Sequence, residues 1–411
     1  MTQVAPVNAV APRFDRDRLA RLADGLAVAL AVSLPWSTSA TGILVVLWLL
    51  ALLPTVKLAE LVRELREPAC GFPLLLWGLG VLGLLWSPAG FSEQLYAIKG
   101  SHKFLVLPFL FIQFRRSDKG FRVLGGYLAS CTALLAVSWF LHVWPHQPWR
   151  VAPAGVPVKD YIVQSVEFVL CAFAFGHLAV DAWLARKRLL ACGQALLAVL
   201  FVANVAFVAT GRTSLAAFPV LLMLFGLQRF GLKGTLAMAI GGVLFAAAVW
   251  IASPHLRERV LGVIDEIQTY RSEHAETSSG YRLEFWRKSL TFVAEAPIAG
   301  HGTGSIPVLF RRAAIGDAGI TAAVTGNPHN QILEIAIQLG LIGVAVLFAM
   351  WMAHILLFRG ASLAPWLGQI LMTQTIVGSL FLSYLLDFST GWIYVLGVGV
   401  LGGMAQRPRT D

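Results

Sequence analysis

Charge is what this sequence lacks most. Only 13% of its 411 residues are Asp, Glu, Lys or Arg, 57% are hydrophobic, and the mean hydropathy is +0.72. A water-soluble domain carries roughly a quarter charged residues, so a soluble globular protein is excluded. Cysteine is scarce too. Cys70, Cys131, Cys171 and Cys192 sit in or beside apolar runs without paired spacing, which argues against a disulfide framework and a thiolate metal site. There is no HExxH, no CxxC and no outer pair of aspartates at ligand spacing (Asp160 and Asp387 each stand alone), so no metal or other cofactor is expected. The opening stretch MTQVAPVNAVAPRFDRDRLA has no apolar core and no cleavage site. It does not read as a removable signal peptide, and the first span is the expected insertion signal. No internal repeat is found.

Long apolar runs are there instead, each able to cross a bilayer of about 30 Å. They predict an all-α polytopic membrane protein of about twelve spans. The spans fall near 20–37, 40–57, 70–87, 98–114, 122–143, 161–183, 190–209, 213–229, 234–252, 331–357, 363–385 and 390–405. With the amino terminus inside, the inner segments hold 19 of the 32 basic residues, from Arg13 to Arg409. The short outer loops hold five: Lys99, Lys103, Arg150, Lys159 and Arg212. That asymmetry puts both termini in the cytoplasm. It also explains the net charge of +10 without a nucleic-acid partner.

The division that follows is 1–252 for spans one to nine, 253–328 for one large outer loop, and 329–411 for spans ten to twelve with a short tail. The loop is patterned rather than random. HLRERVLGVIDEIQTY puts Leu256, Val260, Ile264 and Ile267 on one stripe. SSGYRLEFWRKSLTFVAEAP does the same with Leu283, Trp286, Leu290 and Val293, opened by Ser279 as a cap and closed by Pro297.

Three places can carry chemistry. In NPHNQILE, Asn327 is a candidate N-cap and Pro328 suits the first helical position, which puts His329 in the first turn of span ten, at the outer surface. The positive end of a helix dipole disfavours imidazolium and keeps the ring able to accept a proton. The plainer reading is a surface histidine at a helix start. Glu334 and Gln338 follow at i, i+4; a carboxylate there is functional by default, or else an interhelical hydrogen bond fixing the bundle. In VATGRTSLAAF, Arg212 stands at a boundary beside a helix start, where an anion held by backbone N–H groups, Thr213 and Ser214 would suit it. Snorkelling to lipid headgroups is the alternative. In SSGYRLEFWRK, Arg282 falls in a first helical turn, whereas Arg287 and Lys288 read better as a solvated basic face, interleaved with Tyr281, Phe285 and Trp286. The turn GHGTGS (300–305) has the composition of an anion-binding nest, with His301 a weaker candidate.

Together, the TGRTS loop, the Tyr-Arg-Leu-x-x-Trp helix, the GHGTG turn and NPHNQILEIAIQLGLIG resemble the O-antigen ligases, polytopic enzymes of the bacterial inner membrane. The likeness covers most of the chain in layout but is specific in residues only from about 205 to 345, above all in the HN-x-x-L-E-x-x-x-x-x-G-L-x-G pattern at 329–343. It implies a GT-C-like fold with a helical periplasmic loop between spans nine and ten. The implied enzyme is a metal-independent glycosyltransferase, active at the periplasmic face. Its donor would be O-antigen on undecaprenyl diphosphate, and its acceptor a sugar hydroxyl of the lipid A–core oligosaccharide. His329 would be the general base, with Arg212 and Arg282 on the diphosphate; Arg287, Tyr281, Asn330, Thr213, Glu334 and Lys103 are expected around the substrates, and Lys159 is a further candidate at the same mouth. Glu334 is the base if His329 only positions the acceptor. Membrane lipids are the remaining partners, and the oligomeric state stays open, a monomer being compatible.

Polymerases and protein O-oligosaccharyltransferases share the same layout. The latter commonly carry a long carboxy-terminal extension, whereas this sequence stops just past span twelve, at GGMAQRPRTD. A secondary transporter is the reading from another class. It predicts repeats and midplane ionisable groups, where this chain gathers its candidates at one face.

Overall fold

The computed structural model describes residues 15–145, 155–252 and 254–407. Arg13, Arg150 and Arg409, used in the topology argument, lie outside them, as does the side chain of Leu256. Among the described residues the chain is helical, without a strand. The first half runs α1 (Arg16–Ser33), α2 (Thr38–Leu52), α3 (Leu58–Arg66), α4 (Pro68–Leu82), α5 (Phe91–Ser101), α6 (Leu107–Arg116), α7 (Gly120–Val143) and α8 (Tyr161–Leu184). The second half runs α9 (Arg188–Phe207), α10 (Arg212–Ala252), α11 (Pro254–Glu273), α12 (Ser278–Glu295), α13 (Ile306–Ala313), α14 (Gln331–Leu357), α15 (Leu363–Ser379) and α16 (Phe388–Ala405).

Among the described residues, nine helical segments are long and apolar enough to cross a membrane, α5 to α6 counting as one. The chain is a polytopic helical membrane protein. The other three expected spans are helical as well, and each falls short for its own reason. α1 carries Arg16, Asp17, Arg18, Arg21 and Asp24 within its 18 residues, and α15 has only 17. The third is the second arm of α10, two helices that meet at a kink at Gly231 (φ 67°, ψ −160°). The arms double back there, so that Gly242 lies against Leu222 and Gly226 against Gly234. The second arm shows Leu232, Leu236 and Ile251 outward, a surface that only lipid makes inexpensive.

Charged groups inside the bundle can be paired, as a low-dielectric surrounding favours. Arg229 donates to Asp181 at 2.5 Å and to His177 Nδ1 at 2.7 Å, and lies over the Trp366 ring. Asp160 and Asp387, read from the sequence as lone acids of outer loops, cap α8 and α16. Cys70, Cys131 and Cys171 are buried and free, and Cys192 is exposed.

The feature that positions the site is a second break, in α14 at Gly340 (φ 62°, ψ −161°). The arm after it runs alongside α4, with His354 Nε2 against Ala69 O at 2.8 Å. The segment 297–304 closes the break. His301 N and Gly302 N donate to Ile337 O and Gln338 O (2.8 and 2.9 Å), while Leu341 N and Ile342 N donate to Pro297 O and Ile298 O (2.8 and 3.3 Å). Irregular backbone at this depth is tolerated because its amides are satisfied. Glycine is required at 340, since a Cβ would stand 2.2 Å from Ile298 O.

The expected stripes of the 253–328 segment need correction. On α11, Val260 and Ile264 are exposed to the surroundings rather than packed on the protein. On α12 the buried face is Ser279, Phe285, Ser289 and Phe292, joined by Glu284 and Lys288, while Leu290 is 61% exposed. Burial follows the paired polar groups here: Lys288 Nζ donates to Ala313 O and Thr321 O, and Glu284 accepts from Arg287 and Tyr270. Thr277 caps α12, accepting from Gly280 N at 3.1 Å, whereas Ser279 takes another role.

Candidate functional site

α12 is the element that gathers the candidates. At its start Ser279 Oγ accepts from Arg212 Nη1 at 3.1 Å, which ties α12 to the head of α10. Two turns on, Trp286 Nε1 donates to Pro328 O at 3.0 Å, and Phe285 stacks on His329 with ring centroids 6.4 Å apart. Arg282 lies about one turn from both Ser279 and Trp286. Its charge acts on Arg212 to one side and on His329 to the other. Three residues far apart in sequence therefore converge, because one helix carries contacts to all of them.

His329 departs from the expected first-turn position. Asn330, not Asn327, is the N-cap of α14, its Oδ1 accepting from Ile332 N and Leu333 N at 2.9 and 3.0 Å. Asn327 closes an Asx turn instead: its Oδ1 accepts from His329 N at 2.7 Å and from Ser383 Oγ at 2.9 Å. Asn327 and Asn330 each hold backbone N–H groups here, and His329, between Pro328 and Asn330, takes the strain. His329 adopts φ 55°, a left-handed conformation that side chains avoid. The ring is half-buried, with Nδ1 buried and without a hydrogen-bond partner among the described residues. Burial, and then the charge of Arg282, hold the imidazole below the usual histidine range. It is neutral at pH 7 and able to take a proton.

The guanidiniums differ from each other. Arg212 is held by Glu266 through both nitrogens, Nη2 to Oε1 at 3.1 Å and Nη1 to Oε2 at 3.3 Å. Glu266 Oε2 also accepts from Ser279 N at 2.9 Å. Burial raises the Glu266 carboxyl, but the bonds from Arg212 and Ser279 outweigh it and leave the group below the usual carboxylate range. Arg282 is half-buried, and among the described residues no carboxylate hydrogen-bonds to it. Burial, followed by Arg212, lowers it from the usual arginine range. An anion between the two would relieve both.

The remaining candidates fall into place around this core or away from it. Thr213 is buried in the first turn of α10, and Ser214 Oγ pairs with Ser165 Oγ at 2.8 Å. Asn330 Nδ2 donates to Leu380 O at 3.0 Å. Tyr281 Oη donates to Glu276 at 3.1 Å, and Arg287 is 60% exposed with its guanidinium on Glu284. Glu334 is buried beneath the His329 turn, where the charge of Lys103 acts on it.

Two expectations about lysines fail. Lys103 is 1% exposed, its ammonium bonded to Leu386 O and Asp387 O, and Lys159 turns inward to Leu34 O and Glu167. Neither adds free charge at a mouth; both tether loops. The expected nest in GHGTGS also fails. Every amide from His301 to Ser305 already donates to a protein acceptor, that of Gly304 to Gln338 Oε1 at 2.8 Å. A nest needs free N–H groups.

Sequence reasoning missed Glu266, Ser383 and the Asx role of Asn327, for which no local motif exists. Among the described residues no three or more His, Cys, Asp or Glu are grouped to hold a metal ion. A separate apolar cavity lies between α1, α7, α8, α15 and α16, touching Leu34, Tyr127, Leu170, Leu367 and Gly397 and none of the site residues.

Comparison with known proteins gives one finding. Residues 197–348, from α9 into α14, match the family model described as O-antigen ligase, a stretch that contains Arg212, Arg282 and His329. No curated protein matches the chain.

Proposed function

On the premise that the chain belongs to the O-antigen ligase family, whose domain occupies residues 197–348, we propose that it is a lipid-linked glycan transferase of the ligase branch. The donor is O-antigen on undecaprenyl diphosphate and the acceptor a sugar hydroxyl of lipid A–core. The acceptor O–H gives its proton to His329 as its oxygen bonds to the anomeric carbon. The bond from that carbon to the diphosphate oxygen breaks, and undecaprenyl diphosphate leaves with the electron pair. One displacement inverts the anomeric centre. Arg212 and Arg282 take up the charge growing on the leaving group, so the step calls on no metal.

The observation that carries this reading is Arg282, a half-buried guanidinium without a carboxylate hydrogen bond among the described residues, acting electrostatically on both Arg212 and His329. A cation next to a neutral base and a second cation suits a reaction that removes a proton at one end and releases an anion at the other. Phe285 and Trp286 set the ring, while Glu334 and Lys103 belong to its support. The protein sits in the bacterial inner membrane with both termini in the cytoplasm, and 253–328 forms the periplasmic segment over the site.

The test uses purified protein in nanodiscs with lipid-linked glycan and lipid A–core. His329→Ala is expected to abolish product while undecaprenyl diphosphate still binds; normal transfer by this variant removes the assignment. Arg212→Ala and Arg282→Ala are expected to weaken binding of that lipid, and unchanged affinity would count against the clamp.

A further inference from the structure

We propose that Glu266 is the resident anion of the diphosphate site: its carboxylate stands where a donor phosphate goes, holds Arg212 and the start of α12 while the site is empty, and is displaced when the donor arrives. This rests on the reading of Arg212 and Arg282 as a diphosphate clamp.

The contacts of Glu266 are those of a bound phosphate. A guanidinium grips it with two parallel bonds, at 3.1 and 3.3 Å, the fork geometry that serves carboxylate and phosphate alike. A backbone amide in the first turn of α12 donates to it at 2.9 Å, as helix N-termini do to phosphates. Ser279 Oγ completes the ring on Arg212. The pair is neither fully buried nor free, with Arg212 26% and Glu266 24% exposed. Exchange of one anion for another is therefore open, since a solvated pair of this kind is worth little net stability.

The charges decide the direction of exchange. Two guanidiniums share one carboxylate, and among the described residues Arg282 has no carboxylate hydrogen-bonded to it, only the charge of Glu266 nearby. Glu266 is carried on α11 and hydrogen-bonds to Arg212, while it acts on Arg282 only through its charge. A diphosphate has more charge and more acceptor oxygens, and it can bridge both arginines. It wins the exchange if Glu266 can withdraw. α11 shows no buried side chain among those described, so withdrawal of the Glu266 side chain costs little packing provided that the Tyr270–Glu284 bond to α12 is kept. The role assigned to Glu266 is specificity. A weaker anion that meets only Arg212 gains nothing over the resident carboxylate, whereas a diphosphate engaging Arg282 as well does.

Farnesyl diphosphate binding to the full chain in nanodiscs, measured by calorimetry, tests this. Glu266→Gln keeps the size of the side chain and an acceptor for Ser279 N but removes the competing charge. Affinity is expected to rise about tenfold, and inorganic pyrophosphate is expected to follow the same trend if the headgroup alone is read. If Arg212→Ala and Arg282→Ala both weaken binding but Glu266→Gln leaves it unchanged or weaker, Glu266 is a structural strut and this proposal fails while the clamp stands. If the two arginine variants bind as well as the wild type, the clamp itself fails. A readout on the unaltered protein covers a variant that does not fold. Carbodiimide coupling at Glu266, followed by peptide mass, is expected to increase several-fold when farnesyl diphosphate saturates the site; constant or reduced coupling overturns the proposal.

Discussion

Two histidine turns meet the same helix and end in opposite states. In GHGTGS, Gly300, Gly302 and Gly304 take the positive φ values, His301 Nε2 sits against Phe292 O at 2.8 Å, and every amide from 301 to 305 has an acceptor. In NPHN the positive φ falls on the histidine itself, and its Nδ1 is buried without a partner among the described residues. The first turn is saturated and joins the loop segment to the break at Gly340. The second is held from outside, by Asn327 Oδ1 and by Trp286 on Pro328 O, and leaves its ring unused. Composition allows the glycine-rich turn as an anion nest. Hydrogen-bond accounting removes it, because a functional group must have capacity left over.

The widest test of this contrast compares the two histidines. His329→Ala is expected to lower transfer by about 10²–10⁴-fold, the usual worth of a positioned base. His301→Ala is expected to leave kcat within several-fold and to cost about 1 kcal/mol of stability; equal losses of activity would erase the distinction.

Next in size is Gly340→Ala, which meets both a φ of 62° and Ile298 O at 2.2 Å. It should lose at least about 3 kcal/mol in denaturant unfolding. Gly231→Ala has the same backbone problem in open space, and about 1–2 kcal/mol is expected.

The pH profile sharpens the base assignment. A base must be unprotonated, so kcat/KM should fall as pH drops through a histidine pKa lying below the usual range. Burial and Arg282 both lower it, hence Arg282→Gln should move the acid limb to higher pH, by up to about one unit. A limb that stays in place would separate Arg282 from the ring.

The smallest effect expected is that of Trp286→Phe. It removes the bond to Pro328 O at 3.0 Å, worth about 0.5–1.5 kcal/mol, and should reduce kcat by up to about tenfold with donor KM unchanged. A change confined to donor KM would mean that Trp286 serves the diphosphate and not the base.

The membrane helices were legible because burying apolar runs in lipid is a local property of composition, and so α2, α7, α8 and α16 fall where the runs do. Arg212, Arg282 and His329 were legible as residues, since an arginine or histidine at a helix start invites a question. Their supports were not. Glu266 pairs with Arg212 across 54 positions, and nothing in DEIQ marks it. The choice between Asn327 and Asn330 as cap turns on Ser383, which reaches Asn327 from the α15–α16 loop. The buried face of α12 was misjudged because its stripe includes Glu284 and Lys288, charged residues that enter the interior only as a tertiary network satisfies them. Capacity left unfilled in a turn is likewise decided by partners from elsewhere.

One consequence of α12 is metric. Ser279 touches Arg212 and Trp286 touches the His329 turn, and the seven positions between them rise about 10 Å at 1.5 Å per residue. The helix is thus a fixed gauge between Arg212 and the His329 turn, and adding a single residue between Arg282 and Phe285 would swing one end about 100° away from the other.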